Sequence, residues 1–222
     1  SNLPWNKLDV DVVIESTGFF TEYKKAKAHI KAGAKKVLIS APAKGDGVKT
    51  VILGVNDAEL EADHSVISNG SCTTNCVAPV LKVLEDAIGL KKSMMTTVHS
   101  YTNSQSLQDA PKKDLREARA AAENIVPTTT GAAKTVGIVD PKAAEHFDGM
   151  SIRVPTPVVS LIDLPGVAKR KTTKEELNEI FKKAAKEAKW QGIITVNDEE
   201  LVSSDFIGNS HSAIVDLALT NV

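Results

Sequence analysis

Cysteine is scarce in this chain: two residues in 222, at positions 72 and 76. Two thiols in so long a chain exclude a disulfide framework, point to a reducing compartment and predict a cytoplasmic protein. An excess of one charge is missing too. A formal net charge of −1 leaves no electrostatic footprint for a nucleic-acid partner. The Lys-rich stretch 22–36 reads as a solvated helix face. No apolar run approaches membrane-spanning length and no signal-peptide pattern opens the chain, so no membrane partner is expected. No Cys, His, Asp and Glu cluster has metal-ligand spacing, which argues against a metal. Internal repeats and low-complexity segments are absent as well. What is present, 42% hydrophobic and 25% charged residues, is an ordinary globular composition. The chain is long enough to bury a core without staples.

The first third reads as alternating strands and helices. "VDVVI" (10–14) is a buried strand that runs into the turn "ESTG". A helix follows, with Thr21 as its expected N-cap, Ala26, His29 and Ile30 on one face, and Gly33 as terminator. "KKVLISAP", "TVILGVN" and "HSVISNGS" are expected strands, which makes a βαβ parallel-sheet pattern. No glycine-rich first turn precedes it. From Cys72 the character changes. Residues 75–89 form a helix stopped by Gly89, and "SMMTTVHSYT" and 149–165 are strand-like. A short helical piece and a Thr- and Gly-rich loop are expected between them. Residues 172–190 are an amphipathic helix opening on a Thr173–Glu176 capping box, with Leu177, Ile180, Phe181, Ala184 and Ala188 buried. "LVSSDFIG" and "SAIVDLALT" are expected to close the fold as an antiparallel pair. The fold class is therefore α/β, with an α+β second part of mainly antiparallel sheet, and Cys72 sits at the seam.

A thiol at the start of a helix gains from the free N–H groups and the dipole there, and its pKa should fall. His99 ends a strand 27 residues later and could be returned beside Cys72 as its base. On spacing alone the plainer readings stay open: a small core hydrophobe and a hydrogen-bonded strand-end histidine. Cys76, one helical turn on, is expected to face inward. Two further clusters bear on the choice. "PTTTGAAK" (127–134) offers hydroxyls and a glycine backbone to an anion. Arg153 in "RVPT" places a guanidinium on a strand, where it can hold a phosphate.

With "SCTTNC", "TTVHSYTN", "TTTGAAK" and "RVPT" in that order, the sequence closely resembles phosphorylating glyceraldehyde-3-phosphate dehydrogenase. The match runs along essentially the whole chain, through "VVIESTGFFT", "KKVLISAPAKG" and "SSDFIGNSHSAIVD". The resemblance implies that residues 1–71 are the second half of a Rossmann-type dinucleotide-binding domain and that 72–222 are the catalytic domain. It implies Cys72 as nucleophile and His99 as acid–base in the glycolytic oxidation of glyceraldehyde 3-phosphate. Ser71, Thr73, Thr130 and Gly131 would line an inorganic-phosphate pocket, and Thr102 and Arg153 would hold the substrate's own phosphate. Thr17, Gly18, Phe19, Ser40, Ala41 and Asn103 would face the dinucleotide. NAD is the expected cofactor, with NADP the alternative raised by Ala110 before Pro111. A homotetramer is implied as well.

The sequence departs from the family at several points. Glu117 stands in "LREARA" where many bacterial members carry a second arginine, and Ser104 replaces an acid after Asn103. A carboxylate at 117 is expected to repel phosphates unless it turns outward, with Arg116 and Arg119 as nearby cations to offset it. The family's "GFGRIGR"-type fingerprint and its "WYDNE" segment do not occur in these 222 residues. Taken literally, they are therefore expected to bind a dinucleotide poorly and not to form a competent dehydrogenase. Two other readings are carried. Erythrose-4-phosphate dehydrogenase uses the same Cys and His, but the intact "TTTGAAK" loop favours the triose enzyme. A non-catalytic fragment acting by association would have a Cys72 no more reactive than Cys76.

Overall fold

Alternating apolar runs build the first unit, but the strand expected to be buried over 10–14 is corrected: it lies at the edge of its sheet, with Val12 52% and Ile14 66% exposed. The computed structural model describes residues 3–222, apart from the side chain of Ala144; the first two residues of the 1–71 unit lie outside it. Strand β1 (Val12–Glu15), helix α1 (Tyr23–Lys31), β2 (Lys36–Ile39), β3 (Lys49–Thr50) and β4 (Val66–Ser68) form a parallel sheet of order β1-β2-β4-β3. Ala26 of α1 covers Val37, Ile39 and Val66 from above. The N-cap of α1 is Glu22 rather than Thr21, which is buried beneath the start of the helix and accepts from the Lys44 amide. Of "TVILGVN" only Thr50 belongs to a strand. Asn56 bonds back to Thr50 and Ile52, and that folds the rest into turns.

The parallel sheet delivers the chain to α2 (Cys72–Ala87) through Asn69, Gly70 and Ser71. Gly70 has φ +71°, and a Cβ there would lie 3.0 Å from Ile52, so this turn needs glycine. Then come β5 (Leu90–Ser100), β6 (Val126–Thr128), α3 (Ala132–Val139), α4 (Pro141–Ala144), β7 (Phe147–Val154), β8 (Leu161–Asp163) and β9 (Gly166–Ala168). They form a mixed sheet around β5, which runs parallel to β7 and antiparallel to β8 and β9, with β6 antiparallel to β7. Three of these four pairings are antiparallel, though the longest is parallel. The expected strand over 149–165 breaks after Val154, and residues 116–124 are turns rather than helix.

Alternation along β5 assigns its two faces. Ser93, Met95, Thr97 and His99 are buried on the α2 side, while Met94 is exposed on the other. Met95 packs with Val77, Leu81, Val136 and Phe147 in the main core. Gly149 pairs with Met95, and a Cβ on it would meet the Met95 carbonyl oxygen at 2.7 Å. Gly149→Ala must therefore push β5 and β7 apart. It is expected to cost about 1–3 kcal/mol, read as a lower urea midpoint.

The last unit places α5 (Lys174–Ala184) against β10 (Ile194–Asn197), whose partner β11 (Ala213–Asp216) lies against α2. Thr173 caps α5 by accepting from Glu176 N, but the Glu176 carboxylate turns to Arg170 and Thr172, so only half of the expected box forms. Phe181, Ala184 and Trp190 pack on Ile194 and Ala213, whereas Ala188 lies past the helix and is exposed. The expected closing antiparallel pair is corrected. "LVSSDFIG" contains a short 3-10 turn, Ser203–Phe206, and β11 pairs with β10 in parallel. Periodicity identifies a strand but not its partner.

Candidate functional site

All four strands of the first sheet run the same way, so their carboxyl ends share one edge, and the candidate residues collect there. Cys72 opens α2 with Ser71 as N-cap, whose hydroxyl accepts from Thr74 N at 3.1 Å. Two serines brace this corner. Ser68 Oγ donates to Ala41 O at 2.7 Å and accepts from Gly70 N at 3.1 Å, tying the exit of β4 to the exit of β2.

His99 comes from the inner face of β5, near its carboxyl end, and its Nε2 lies 3.3 Å from Cys72 Sγ. The strand-end histidine is thus returned to the helix-end thiol, as the sequence leads one to expect. The imidazole beside it pulls the Cys72 thiol down from 9.0 to about 7, against burial, which acts upward. Thr73 Oγ1, 4.0 Å from the sulfur, adds to the lowering. Cys76 behaves in the opposite way. It is half-buried against the core that holds Val83 and Phe181, and burial pushes its thiol up to about 11.

Strand register explains why Arg153 joins the pair. His99 and Arg153 are direct partners in the parallel β5/β7 ladder and so share the inner face. Arg153 Nη1 lies 2.6 Å from His99 Nδ1 and 3.0 Å from the Ser100 carbonyl oxygen. That carbonyl is also 2.7 Å from Nδ1. A guanidinium has only protons to offer, so its approach requires a lone pair on Nδ1 and leaves the ring proton on Nε2, aimed at the sulfur. With Arg153 withdrawn, Nδ1 can carry a proton and donate to Ser100 O, the arrangement that suits an imidazolium. The Arg153 Nε proton is buried and has no partner, which makes the guanidinium an unsatisfied donor at the site.

The anion-loop residues sit on the start of α3. Gly131 is its N-cap residue and Thr130 Oγ1 accepts from Ala132 N at 3.2 Å. The starts of α2 and α3 lie side by side, since the position of a Gly70 Cβ is 3.5 Å from both Thr74 and Thr135. Two helix N-termini and the Arg153 guanidinium can together hold an anion near Cys72. Thr102 is exposed just beyond β5, and its hydroxyl lies 3.2 Å from that of Ser104. Glu117 does not turn outward. Its Oε1 accepts from Thr128 Oγ1 at 3.1 Å and is 3.5 Å from Ser104 Oγ. Neither expected cation offsets it: Arg119 pairs with Asp109 at 2.9 Å, and no hydrogen bond or ion pair joins Arg116 to Glu117.

Thr17, Gly18 and Phe19 form the turn after β1. Phe19 is 77% exposed, and Gly18 has φ +79° with open space where a Cβ would stand. Ser40 follows β2 and donates to Ser16 Oγ at 2.9 Å, with Ala41 beside it, and Asn103 is exposed. A bare glycine and an exposed ring at the carboxyl edge of a parallel sheet fit the flank of a dinucleotide. The N-terminus of α1 does not suit its pyrophosphate, because Glu22 stands there without capping the helix. Sequence reasoning missed Glu15, whose buried carboxylate accepts from Thr17 N at 2.7 Å and so shapes this turn. A carboxylate ending an apolar strand was its only signal. Among the described residues, no group of three or more His, Cys, Asp or Glu could hold a metal ion, and no helix is long and apolar enough to cross a membrane.

An α/β protein with a thiol–imidazole pair at the parallel sheet's edge, and basic and hydroxyl groups around it, is the class that fold and site define. Residues 71–222 match the family described as glyceraldehyde 3-phosphate dehydrogenase, C-terminal domain. The chain is 53% identical over 222 residues to glyceraldehyde-3-phosphate dehydrogenase of Zymomonas mobilis, covering 100% of this chain and 66% of that protein. It is 53% identical over 220 residues to the enzyme so named in Mycobacterium avium, covering 99% of this chain and 64% of that protein. Against glyceraldehyde-3-phosphate dehydrogenase 2 of Streptomyces avermitilis the identity is 52% over 223 residues, covering 100% of this chain and 66% of that protein. The chain belongs to the glyceraldehyde-3-phosphate dehydrogenase family, and it spans just under two thirds of the length of these relatives.

Proposed function

We propose that this chain carries the catalytic residues of a phosphorylating glyceraldehyde-3-phosphate dehydrogenase of glycolysis, with residues 72–222 as catalytic domain and 1–71 as the second half of a dinucleotide-binding domain. One observation carries the reading: a helix-end thiol at about 7 whose sulfur lies 3.3 Å from an imidazole nitrogen. The Cys72 thiolate attacks the aldehyde carbon of D-glyceraldehyde 3-phosphate, forming a C–S bond. With Arg153 drawn off Nδ1 to the substrate's phosphate, His99 is an imidazolium whose Nδ1 donates to Ser100 O. The resulting alkoxide takes the Nε2 proton of His99 and becomes a thiohemiacetal, leaving a neutral imidazole. A bound NAD, with NADP as the alternative, would supply the acceptor for the hydride lost as the thiohemiacetal becomes a thioester. His99 Nε2 removes the hydroxyl proton in that same step. Thr17, Gly18, Phe19, Ser40, Ala41 and Asn103 would hold the dinucleotide. Inorganic phosphate, held by Ser71, Thr73, Thr130 and Gly131, attacks the thioester carbon. The C–S bond breaks, 1,3-bisphosphoglycerate leaves and the thiolate returns. Thr102 and Arg153 hold the phosphate of the substrate throughout, and the unpartnered Arg153 Nε supports that role.

Self-association fits the same reading. By register, Met94, Met150, Leu161 and Val167 lie on the β5 face turned away from His99, and all four are exposed. An apolar sheet face of this kind supports a homo-oligomer, a tetramer by family resemblance.

Iodoacetamide near neutral pH is expected to label Cys72 well before Cys76, and glyceraldehyde 3-phosphate added first is expected to shield Cys72 alone. Erythrose 4-phosphate should shield only at higher concentration; the reverse order would favour the tetrose enzyme. Equal labelling of the two cysteines, with no shielding by either aldehyde, would leave only the associating fragment.

A further inference from the structure

The charge count around Cys72 is unusual for a site that must collect phosphate. Arg153 is the cation in contact with the pair, through His99 Nδ1 and the Ser100 carbonyl. Thr128, which donates to Glu117, lies on β6, the strand paired with the β7 that carries Arg153, and the charges of Glu117 and Cys72 both attract the guanidinium. Glu117 is held in place by hydroxyls that lead back to the candidate substrate pocket. Thr102 Oγ1 meets Ser104 Oγ at 3.2 Å, and Glu117 Oε1 is 3.5 Å from Ser104 Oγ and 3.1 Å from Thr128 Oγ1. The backbone locks this arrangement, since Ser106 N donates to Glu117 O at 3.1 Å and Ala118 beside it is buried. Arg119 is drawn off to Asp109 at 2.9 Å. A carboxylate anchored in this way cannot swing out of the path of an incoming anion without giving up its hydroxyl partners.

We infer that Glu117 is a specificity-determining residue of the anion pocket. It competes with phosphate for Arg153 and repels it, so that the site binds phosphate groups more weakly than its hydroxyls and guanidinium would otherwise allow. The inference rests on the proposed function, because it takes the pocket beside Cys72 to be the phosphate site. Two negative charges on phosphate double the repulsion that a single charge would feel, so the effect falls mainly on dianions. Added salt should shrink it, since the pocket is open to solvent.

Glu117→Gln is the test, because the amide oxygen can keep both hydroxyl bonds while the charge goes. The dissociation constant for glycerol 3-phosphate, a phosphomonoester that stands in for the substrate held by Thr102 and Arg153, is read by 31P line broadening at fixed ionic strength, in the wild-type protein and in E117Q. Removing the charge is expected to tighten binding on the order of tenfold. Glu117→Asp keeps the charge and guards against a packing effect, so it should stay near the wild-type value. Equal constants in wild type and E117Q, or tightening by E117D as strong as by E117Q, would overturn the inference. Iodoacetamide labelling of the same samples separates the two levels. If Cys72 is labelled ahead of Cys76 and E117Q has no effect on glycerol 3-phosphate binding, only the role of Glu117 fails. If the two cysteines are labelled equally, the phosphate site beside Cys72 fails and the role of Glu117 goes with it.

Discussion

With His99 replaced by asparagine, the pH midpoint for alkylation of Cys72 is expected to climb from about 7 towards 9.0, the ordinary value of the thiol. The imidazole nitrogen 3.3 Å from the sulfur is the largest influence on that thiol, and burial alone acts in the opposite direction. What survives in the variant is the helix N-terminus and the hydroxyl and amide of Thr73, whose bonds to the sulfur are smaller influences than the imidazole. Magnitudes decide how to measure this. Near pH 7 the thiolate fraction would fall from about one half to about one hundredth, roughly fiftyfold. The thiolate left is more basic by about two units and intrinsically more reactive by about sixfold to tenfold. The rate at a single neutral pH therefore drops only about five- to eightfold, whereas the midpoint moves by up to about two units. The full pH profile is the informative measurement, with Cys76 as internal reference because its thiol sits at about 11. An unmoved midpoint would assign the activation to the helix end and would leave His99 out of the proposed chemistry. In the proposed reaction the same variant should lose more than this, since His99 is also asked to move a proton in two steps.

The legible part of this site is what local pattern encodes. A polar turn after a short apolar strand, followed by helical periodicity, puts Cys72 on a helix end without any knowledge of tertiary structure. His99 follows from a strand ending at a plausible distance along the chain. The parallel order of the first sheet also follows, since its strands alternate with helix or turn. What pattern cannot encode is register and pairing. Arg153 meets His99 only because β5 and β7 run parallel with those two residues opposite each other. The strand β11 pairs with β10 in parallel, although an intervening segment reads like its antiparallel mate. Glu117 is visible in sequence as a charge in an odd place, but its direction depends on Ser104 and Thr128, which arrive from different segments. Glu15 is the clearest omission, because its partners, Thr17 and His29, lie two and fourteen residues away on different elements.

Removing that carboxylate should be the most damaging single change in the first sheet. Glu15 is only 3% exposed, at the end of β1. One oxygen accepts from Thr17 N at 2.7 Å and from the Thr17 hydroxyl, and the other meets His29 Nε2 at 2.9 Å. Trp5 Nε1 donates to His29 Nδ1 at 3.1 Å, so the ring keeps its proton on Nε2 and donates to Glu15. Glu15→Ala would leave that buried ring proton without its acceptor, and the Thr17 amide with it. The buried ring donor alone costs about 1–3 kcal/mol, since the exposed Thr17 can turn its amide to water, and urea unfolding near neutral pH would read it. Acid separates this cause from a simple loss of packing. Burial pushes the Glu15 carboxyl up, but the bonds from Thr17 and His29 together outweigh it and hold the group below its ordinary value of 4.5. A carboxyl held lower in the folded state than in the unfolded one stabilises fully above the unfolded value, and that stabilisation disappears as pH falls through the folded value. The gap between wild type and Glu15→Ala should therefore be widest near neutral pH and narrow below about pH 4. A gap of constant size across that range would mean that the variant suffers from lost volume rather than lost charge. The same carboxylate shapes the turn of Thr17, Gly18 and Phe19, so a neutral-pH defect without global unfolding should appear there first. Faster amide hydrogen exchange at Thr17 and Phe19 would place the damage at the candidate dinucleotide edge, with the Cys72 alkylation profile left at its wild-type midpoint.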